Sequence, residues 1–121
     1  MPVKILLVED EQDLAILLTK RLLSQGYEAD WVSHGSVAMQ KIREYSPDLV
    51  ILDLMLPGRD GLSILRDVRR ESPSMRVLVL SGMQNPAYKK QVLEAGVQGY
   101  MQKPYESQII LETIRKILTE P

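Results

Sequence analysis

Apolar residues along this chain fall into two kinds of run, and the two kinds alternate five times. The first kind is short, continuous and rich in Val, Ile and Leu: Val3 to Val8, Leu49 to Leu52 and Arg76 to Leu80, with less apolar members at Glu28 to Val32 and Gly99 to Gln102. Continuous apolar runs of this length read as strands buried on both faces of a parallel sheet. The second kind repeats at helical spacing. Gln12 to about Ser24 carries Leu14, Leu17, Leu18 and Leu22 as a core stripe and stops at Gly26. A second helix starts at Ser33-His34-Gly35-Ser36, runs through Val37, Ala38, Met39 and Ile42, and ends before Pro47. A third repeats Leu62, Leu65 and Val68 and directs Arg66, Arg69 and Arg70 outward; a fourth runs from Pro86 to Ala95 and is stopped by Gly96. The last, from about Glu106 to Leu118, buries Ile110, Leu111, Ile114, Ile117 and Leu118.

Five strands alternating with five helices predict an α/β fold, a doubly wound five-stranded parallel sheet covered on both faces and joined by right-handed crossovers. The flavodoxin-like (βα)5 strand order, 2-1-3-4-5, is the expectation. No linker, low-complexity tract or internal repeat interrupts the pattern, so residues 1–121 read as a single domain. That length buries a sizeable core without staples.

Composition mostly excludes. Hydrophobic residues make up 45% of the chain and the formal net charge is -1, which suggests neither disorder nor a polyanion-binding surface. The absence of cysteine removes disulfides, thiolate metal sites and a cysteine nucleophile, and fits a reducing compartment. The amino terminus turns acidic at Glu9-Asp10-Glu11 after a run too short for a signal segment, and no apolar run approaches membrane-spanning length. A cytoplasmic location with no membrane partner is expected. The one histidine, His34, sits in a Ser-His-Gly turn without the partners that a metal or general-base role needs.

The chemistry gathers at the strand ends. Asp53 ends the most apolar strand, and a carboxylate there must reach solvent, a cation or a hydrogen-bond donor. Taken alone, Asp53 could be a helix cap or a turn carboxylate. The other strand ends argue for more: Glu9 and Asp10 follow strand one, Ser81 ends strand four and Lys103 follows strand five. In a doubly wound sheet ligands bind outside the carboxyl ends of the strands where the strand order reverses, and in the order 2-1-3-4-5 that point lies between strands one and three. Asp10 would then stand beside Asp53. Three gathered carboxylates resist ionising unless a cation answers them, and an all-oxygen set with open positions suits Mg²⁺. Lys103 adds a point charge suited to a phosphate or to Asp53, and Ser81 a hydroxyl donor. This is equipment for nucleophilic attack on phosphorus by a carboxylate.

These residues resemble the receiver domains of two-component response regulators, the CheY-like family, over essentially Lys4 to Leu118. The carriers are Leu-Val-Glu-Asp-Glu at 7 to 11, the Asp53 stretch with its Pro57-Gly58 turn, Ser81, Tyr100 and Lys103-Pro104, in order and with the family's spacing. The resemblance implies that Asp53 is the phosphoacceptor, that Glu9 and Asp10 form the acidic pair, and that Asp10, Asp53 and the Met55 backbone carbonyl bind Mg²⁺. It implies that Ser81 bonds the phosphoryl group, that Lys103 pairs with it, that Tyr100 is a rotameric switch, and that the Lys103-Pro104 bond is cis. Without the resemblance, Tyr100 would read as a half-buried packing residue on a short edge strand.

The implied donor is a phosphohistidine on a sensor histidine kinase or phosphotransfer protein, which residues near the start of helix one would face. The implied output runs through the face of helix four, strand five and helix five, with Ala87, Tyr88, Lys89, Lys90 and nearby Tyr105 as the expected contacts. Homodimerisation on phosphorylation is an option, and nucleic acid becomes a partner only if a DNA-binding domain follows Pro121. No turnover of a separate substrate is expected, only slow hydrolysis of the protein's own phosphoryl group. Some positions depart from common forms: Gly82 stands where many members carry Ala, Met55 and Met83 are expected to shield the acyl phosphate from water, and Gln98-Gly99 replaces an acidic pair of the winged-helix subfamily.

Other classes fit less well. A haloacid-dehalogenase-type phosphatase needs a second acid two residues after its nucleophile, where this chain has Met55. A flavodoxin-type flavin binder needs a hydroxyl- and Gly-rich phosphate loop after strand one, and Glu9-Asp10-Glu11-Gln12-Asp13 would repel that phosphate. A receiver-like interaction module that takes no phosphoryl group remains open at this stage.

Overall fold

The computed structural model describes residues 2–120, so Met1 and Pro121 of the expected 1–121 span lie outside the described residues. Five strands, β1 (Lys4–Val8), β2 (Glu28–Val32), β3 (Leu49–Asp53), β4 (Arg76–Ser81) and β5 (Gly99–Gln102), alternate with α1 (Gln12–Ser24), α2 (Ala38–Tyr45), α3 (Gly61–Glu71), α4 (Pro86–Ala95) and α5 (Ser107–Thr119). The sheet is wholly parallel in the order β2-β1-β3-β4-β5. Both the architecture and the strand order agree with the sequence reading.

The period of two along each strand sorts the core into layers. Leu6, Val8, Val50, Leu52, Val77 and Val79 face α2, α3 and α4, meeting Met39, Ile42, Leu65, Val68 and Val92. Ile5, Leu7, Leu49, Ile51, Leu78 and Leu80 face α1 and α5, meeting Ala15, Leu18, Leu22, Ile110, Ile114 and Ile117. Because helices cover both faces, both parities are apolar, and β3 is buried at all five positions including Asp53.

Turn chemistry fixes the helix starts. Asp60 caps α3 by accepting from the Leu62 N–H, and Asn85 caps α4 by accepting from Ala87 and Tyr88 N–H with Pro86 in the first turn. Gly61 lets α3 begin directly against the end of β3, since a Cβ there would stand 2.5 Å from the Leu54 Cα. The start of α3 is thereby packed on the residue that follows Asp53.

The structure corrects several local expectations. The core stripe of α1 is Ala15, Leu18 and Leu22; Leu14 is half-buried and Leu17 is 47% exposed, because the small Ala15 lets the helix approach the sheet on that side. The second helix is preceded by a separate 3-10 turn at Gly35–Val37. Within α5, Leu111 and Leu118 lie at the edge of the core rather than inside it. Arg69 does not point outward with Arg66 and Arg70. Its guanidinium donates to the carbonyls of Gly96 and Met75 and to Gln98 Oε1, clamping the end of α4 and the starts of β4 and β5 at the edge remote from Asp53. Burial lowers the Arg69 pKa from its ordinary value.

Candidate functional site

The carboxyl ends of the strands collect the buried polar side chains. Among the described residues these are Glu9, Asp53 and Ser81, at 1%, 2% and 0% exposure. Burial at such a level demands partners. Lys103, arriving from the end of β5, supplies one to each carboxylate: its Nζ lies 2.7 Å from Glu9 Oε1 and 2.8 Å from Asp53 Oδ2. The Lys103-Pro104 peptide bond is cis, as the sequence resemblance implies.

Main-chain donors fix the two carboxylates further. The Met55 N–H donates to Asp53 Oδ1 at 3.0 Å, and the Glu11 N–H to Glu9 Oε2 at 3.2 Å. Ser81 Oγ accepts from the Met83 N–H at 3.0 Å, and the Ser81 carbonyl accepts from the Lys103 N–H at 2.9 Å, which ties the β4 and β5 ends together. Asp10 is exposed, and Glu9, Asp10 and Asp53 each offer a carboxylate oxygen within 4.8 Å of the others.

The crowding of the carboxylates shows at Glu9 and Lys103. Burial, and then the adjoining Asp53 carboxylate, raise the Glu9 pKa to about 7, although Lys103 works in the opposite direction. For Lys103 burial works against the charged form, but Asp53 and Glu9 outweigh it and the pKa is raised. One ammonium thus serves two carboxylates while a third stands nearby. An all-oxygen donor set of this charge and span fits a hard divalent cation such as Mg²⁺.

The remaining predicted positions divide. Met55 reaches the site through its backbone N–H, while its side chain is 54% exposed. Tyr100 stands outside the carboxylate cluster, half-buried on β5, with Lys89 Nζ 4.9 Å from the centre of its ring. A cleft of about 500 Å³ lies beside it, walled by Met83, Gln84, Asn85, Pro86, Lys89 and Gln102. The expected output patch is only partly a surface. Tyr88 packs into the α3/α4 layer, and its hydroxyl donates to Asp60 Oδ1 at 2.7 Å; Tyr105 packs into the opposite, α1/α5 layer with its hydroxyl oxygen buried. Ala87, Lys89 and Lys90 are exposed.

Two contacts escaped the sequence reading. Trp31 Nε1 donates to the Glu9 carbonyl at 2.6 Å, and the Tyr88 hydroxyl meets the α3 cap. An aromatic with a polar handle at the end of a strand is the signal that could have flagged the first. Only the packing of α4 on α3 could reveal the second.

Comparison with known proteins agrees with this geometry. Residues 5–115 match the response regulator receiver domain family. The chain is 37% identical over 115 residues to the transcriptional regulatory protein BaeR of Escherichia coli, covering 95% of this chain and 48% of that protein. It is 36% identical over 118 residues to the response regulator RppA of Synechocystis, covering 94% and 50%. The chain therefore spans about half the length of the curated relatives it matches. Among solved structures, the BeF3-activated N-terminal receiver domain of Klebsiella pneumoniae RstA superposes with a TM-score of 0.88 at 29% identity, covering 97% of this chain and 99% of that one. A CheY-like receiver domain from Methanospirillum hungatei shares the fold with a TM-score of 0.94 at 24% identity, covering 98% and 94%. With its switch-point carboxylates answered by one lysine and a family match across nearly all of its length, this chain belongs to the response regulator receiver domains of two-component systems.

Proposed function

We propose that Asp53 accepts a phosphoryl group from a phosphohistidine on a sensor histidine kinase or phosphotransfer protein. The observation that carries this reading is the Lys103 ammonium bridging two buried carboxylates, Glu9 and Asp53, with the Asp10 carboxylate completing a trio beside them. An Asp53 carboxylate oxygen forms the new O–P bond as the donor's N–P bond breaks. The bonding pair leaves with the imidazole nitrogen, which then takes up a proton.

Each neighbouring group has a task in that step. The Met55 N–H holds the rotamer of the attacking carboxylate. Lys103 stands within ion-pair distance of Asp53, where it follows the charge onto the acyl phosphate. Ser81, held at the adjoining strand end, supplies a hydroxyl to a phosphoryl oxygen. Glu9, Asp10, Asp53 and the Met55 carbonyl are the groups that would hold Mg²⁺. The chemistry a bound Mg²⁺ supplies is neutralisation of phosphoryl charge beside three carboxylates.

Phosphorylation adds about 1.5 to 2 negative charges at this rim. Ser81 moves toward them, Tyr100 turns inward, and the face formed by α4, β5 and α5 is repacked for an output domain or target protein. A homodimer through that face, and nucleic acid where a DNA-binding domain follows Pro121, are the outputs that fit relatives about twice this length. The protein works in the cytoplasm and turns over no separate substrate. No helix among the described residues is long and apolar enough to cross a membrane.

Intact-protein mass spectrometry after incubation with acetyl phosphate tests the reading. A Mg²⁺-dependent gain of one phosphoryl group by the native chain, absent in Asp53→Asn, is the expected result. No gain either from acetyl phosphate or from a phosphorylated histidine kinase, with Mg²⁺ bound, would mean an interaction module that takes no phosphoryl group.

A further inference from the structure

We propose that Trp31 is a positioning residue of the metal site, its indole N–H fixing the main chain at Glu9 so that Asp10 is held beside Asp53. The inference rests on the metal-binding reading of the acidic trio given above and adds a residue to it.

The argument begins with how the β1–β2 ladder ends. The pairing runs from Lys4 opposite Glu28 to Val8 opposite Val32, and the Glu9 N–H makes a last rung to the Val32 carbonyl at 3.0 Å. Beyond Val32 the chain leaves the sheet for the 3-10 turn at Gly35–Val37. The Glu9 carbonyl is met by Trp31 Nε1 at 2.6 Å. A side chain from within β2 thus extends the sheet by one hydrogen bond, at the residue where the acidic pair begins.

That bond matters most for Asp10. Glu9 has its own anchors, Lys103 on one oxygen and the Glu11 N–H on the other. Among the described residues, the Asp10 side chain makes no hydrogen bond or ion pair of its own. Its carboxylate is placed in the trio by the backbone that flanks it: Glu9 is fixed at both its N–H and its carbonyl, and Glu11 through its N–H to Glu9 Oε2. The indole is itself immobilised. Trp31 packs against the α1/α5 core layer, its main-chain N–H donates to Asp30 Oδ1 at 2.8 Å, and Asp30 is paired with Lys41 at 2.7 Å. Groups that orient ligands in this way typically alter metal affinity by about tenfold or more when removed.

A purely structural Trp31, one that fills space and satisfies a carbonyl, predicts a different outcome from a positioning one. Replacing Trp31 with β-(3-benzothienyl)alanine keeps the ring shape and puts sulfur where the N–H was; Trp31→Phe is the encodable counterpart. Mg²⁺ binding is measured by titration calorimetry on the native chain, both variants and an Asp10→Asn control, with thermal unfolding in EDTA as the metal-free readout. The expected result is Mg²⁺ affinity about tenfold weaker in the benzothienyl variant, in a protein whose metal-free unfolding stays cooperative and close to native. Affinity within twofold of native would overturn the positioning role and leave the proposed function standing. Native protein that binds no Mg²⁺ at all would overturn this inference together with the metal reading beneath it.

Discussion

Lys103 Nζ stands 2.8 Å from Asp53 Oδ2, an ion pair between residues 50 positions apart in the chain, with the carboxylate almost wholly buried. The same ammonium also holds Glu9. Removing it, as in Lys103→Met, strands two buried carboxylates. Breaking a buried pair in this way costs about 3–5 kcal/mol. Urea unfolding in EDTA should show a loss of that order, with part of it recovered on adding Mg²⁺. A loss within experimental error would show that water already screens the pair.

Stability of the metal-free protein should fall as pH rises toward neutrality. The folded pKa of Glu9, about 7, lies above its ordinary value of 4.5, so between those values the folded state holds a proton that the unfolded chain has released. The contribution is fully present below pH 4.5 and is lost as pH passes through about 7. Lys103, also raised, titrates only above its ordinary 10.5 and leaves this window untouched. Thermal melts from pH 5 to 8 in EDTA should show a declining midpoint, and Glu9→Gln should flatten the decline.

Gly61→Ala should damage both stability and the site. The added Cβ would fall 2.5 Å from the Leu54 Cα and 2.7 Å from its carbonyl oxygen, and backbone cannot yield as a side-chain tip can. Overpacking of this kind costs about 1–3 kcal/mol. Because Leu54 directly follows Asp53, the shift should also slow phosphoryl uptake from acetyl phosphate. A destabilised variant with native uptake would mean that the loop absorbs the displacement before Asp53.

Arg69→Met should separate stability from function. The guanidinium ties the Gly96 and Met75 carbonyls to Gln98 at the far end of the sheet, so its loss should lower stability by about 2–3 kcal/mol. Phosphoryl uptake at Asp53 should be unchanged at temperatures where the variant is folded. Reduced uptake there would reveal coupling along β4 and β5.

Met55 and Met83 follow Asp53 and Ser81 by two residues, and both backbone N–H groups bond to those side chains. Polar replacements such as Met55→Asn and Met83→Asn should bring water to the acyl phosphate and shorten its lifetime several-fold, measured as loss of the phosphorylated mass over time. Unchanged or longer lifetimes would remove the shielding role.

The strand-helix alternation was legible because burial on both sheet faces leaves continuous Val/Ile/Leu runs, and because Gly26, Pro47, Pro86 and Gly96 punctuate them. Strand order and the meeting of Asp10 with Asp53 followed from the topology of a doubly wound sheet. Less legible were rotations about helix axes. Leu17, expected in the core stripe, is 47% exposed while Ala15 is fully buried, since two adjacent helical stripes of similar hydrophobicity differ only in how closely each fits the sheet. Arg69 read as a solvated charge, because a donor to distant carbonyls leaves no local sequence pattern.

The sequence by itself determined the fold, the polar rim and the set of groups on it, since periodicity, turn residues and strand ends are local properties of the chain. Tertiary structure alone decided how those groups are answered. That Lys103 serves both Glu9 and Asp53, that Trp31 finishes the β1–β2 ladder at the Glu9 carbonyl, and that Tyr88 joins the Asp60 cap are contacts between elements far apart in sequence. Their partners are chosen by packing distance and by the need of buried polar atoms for hydrogen bonds, which no local pattern records.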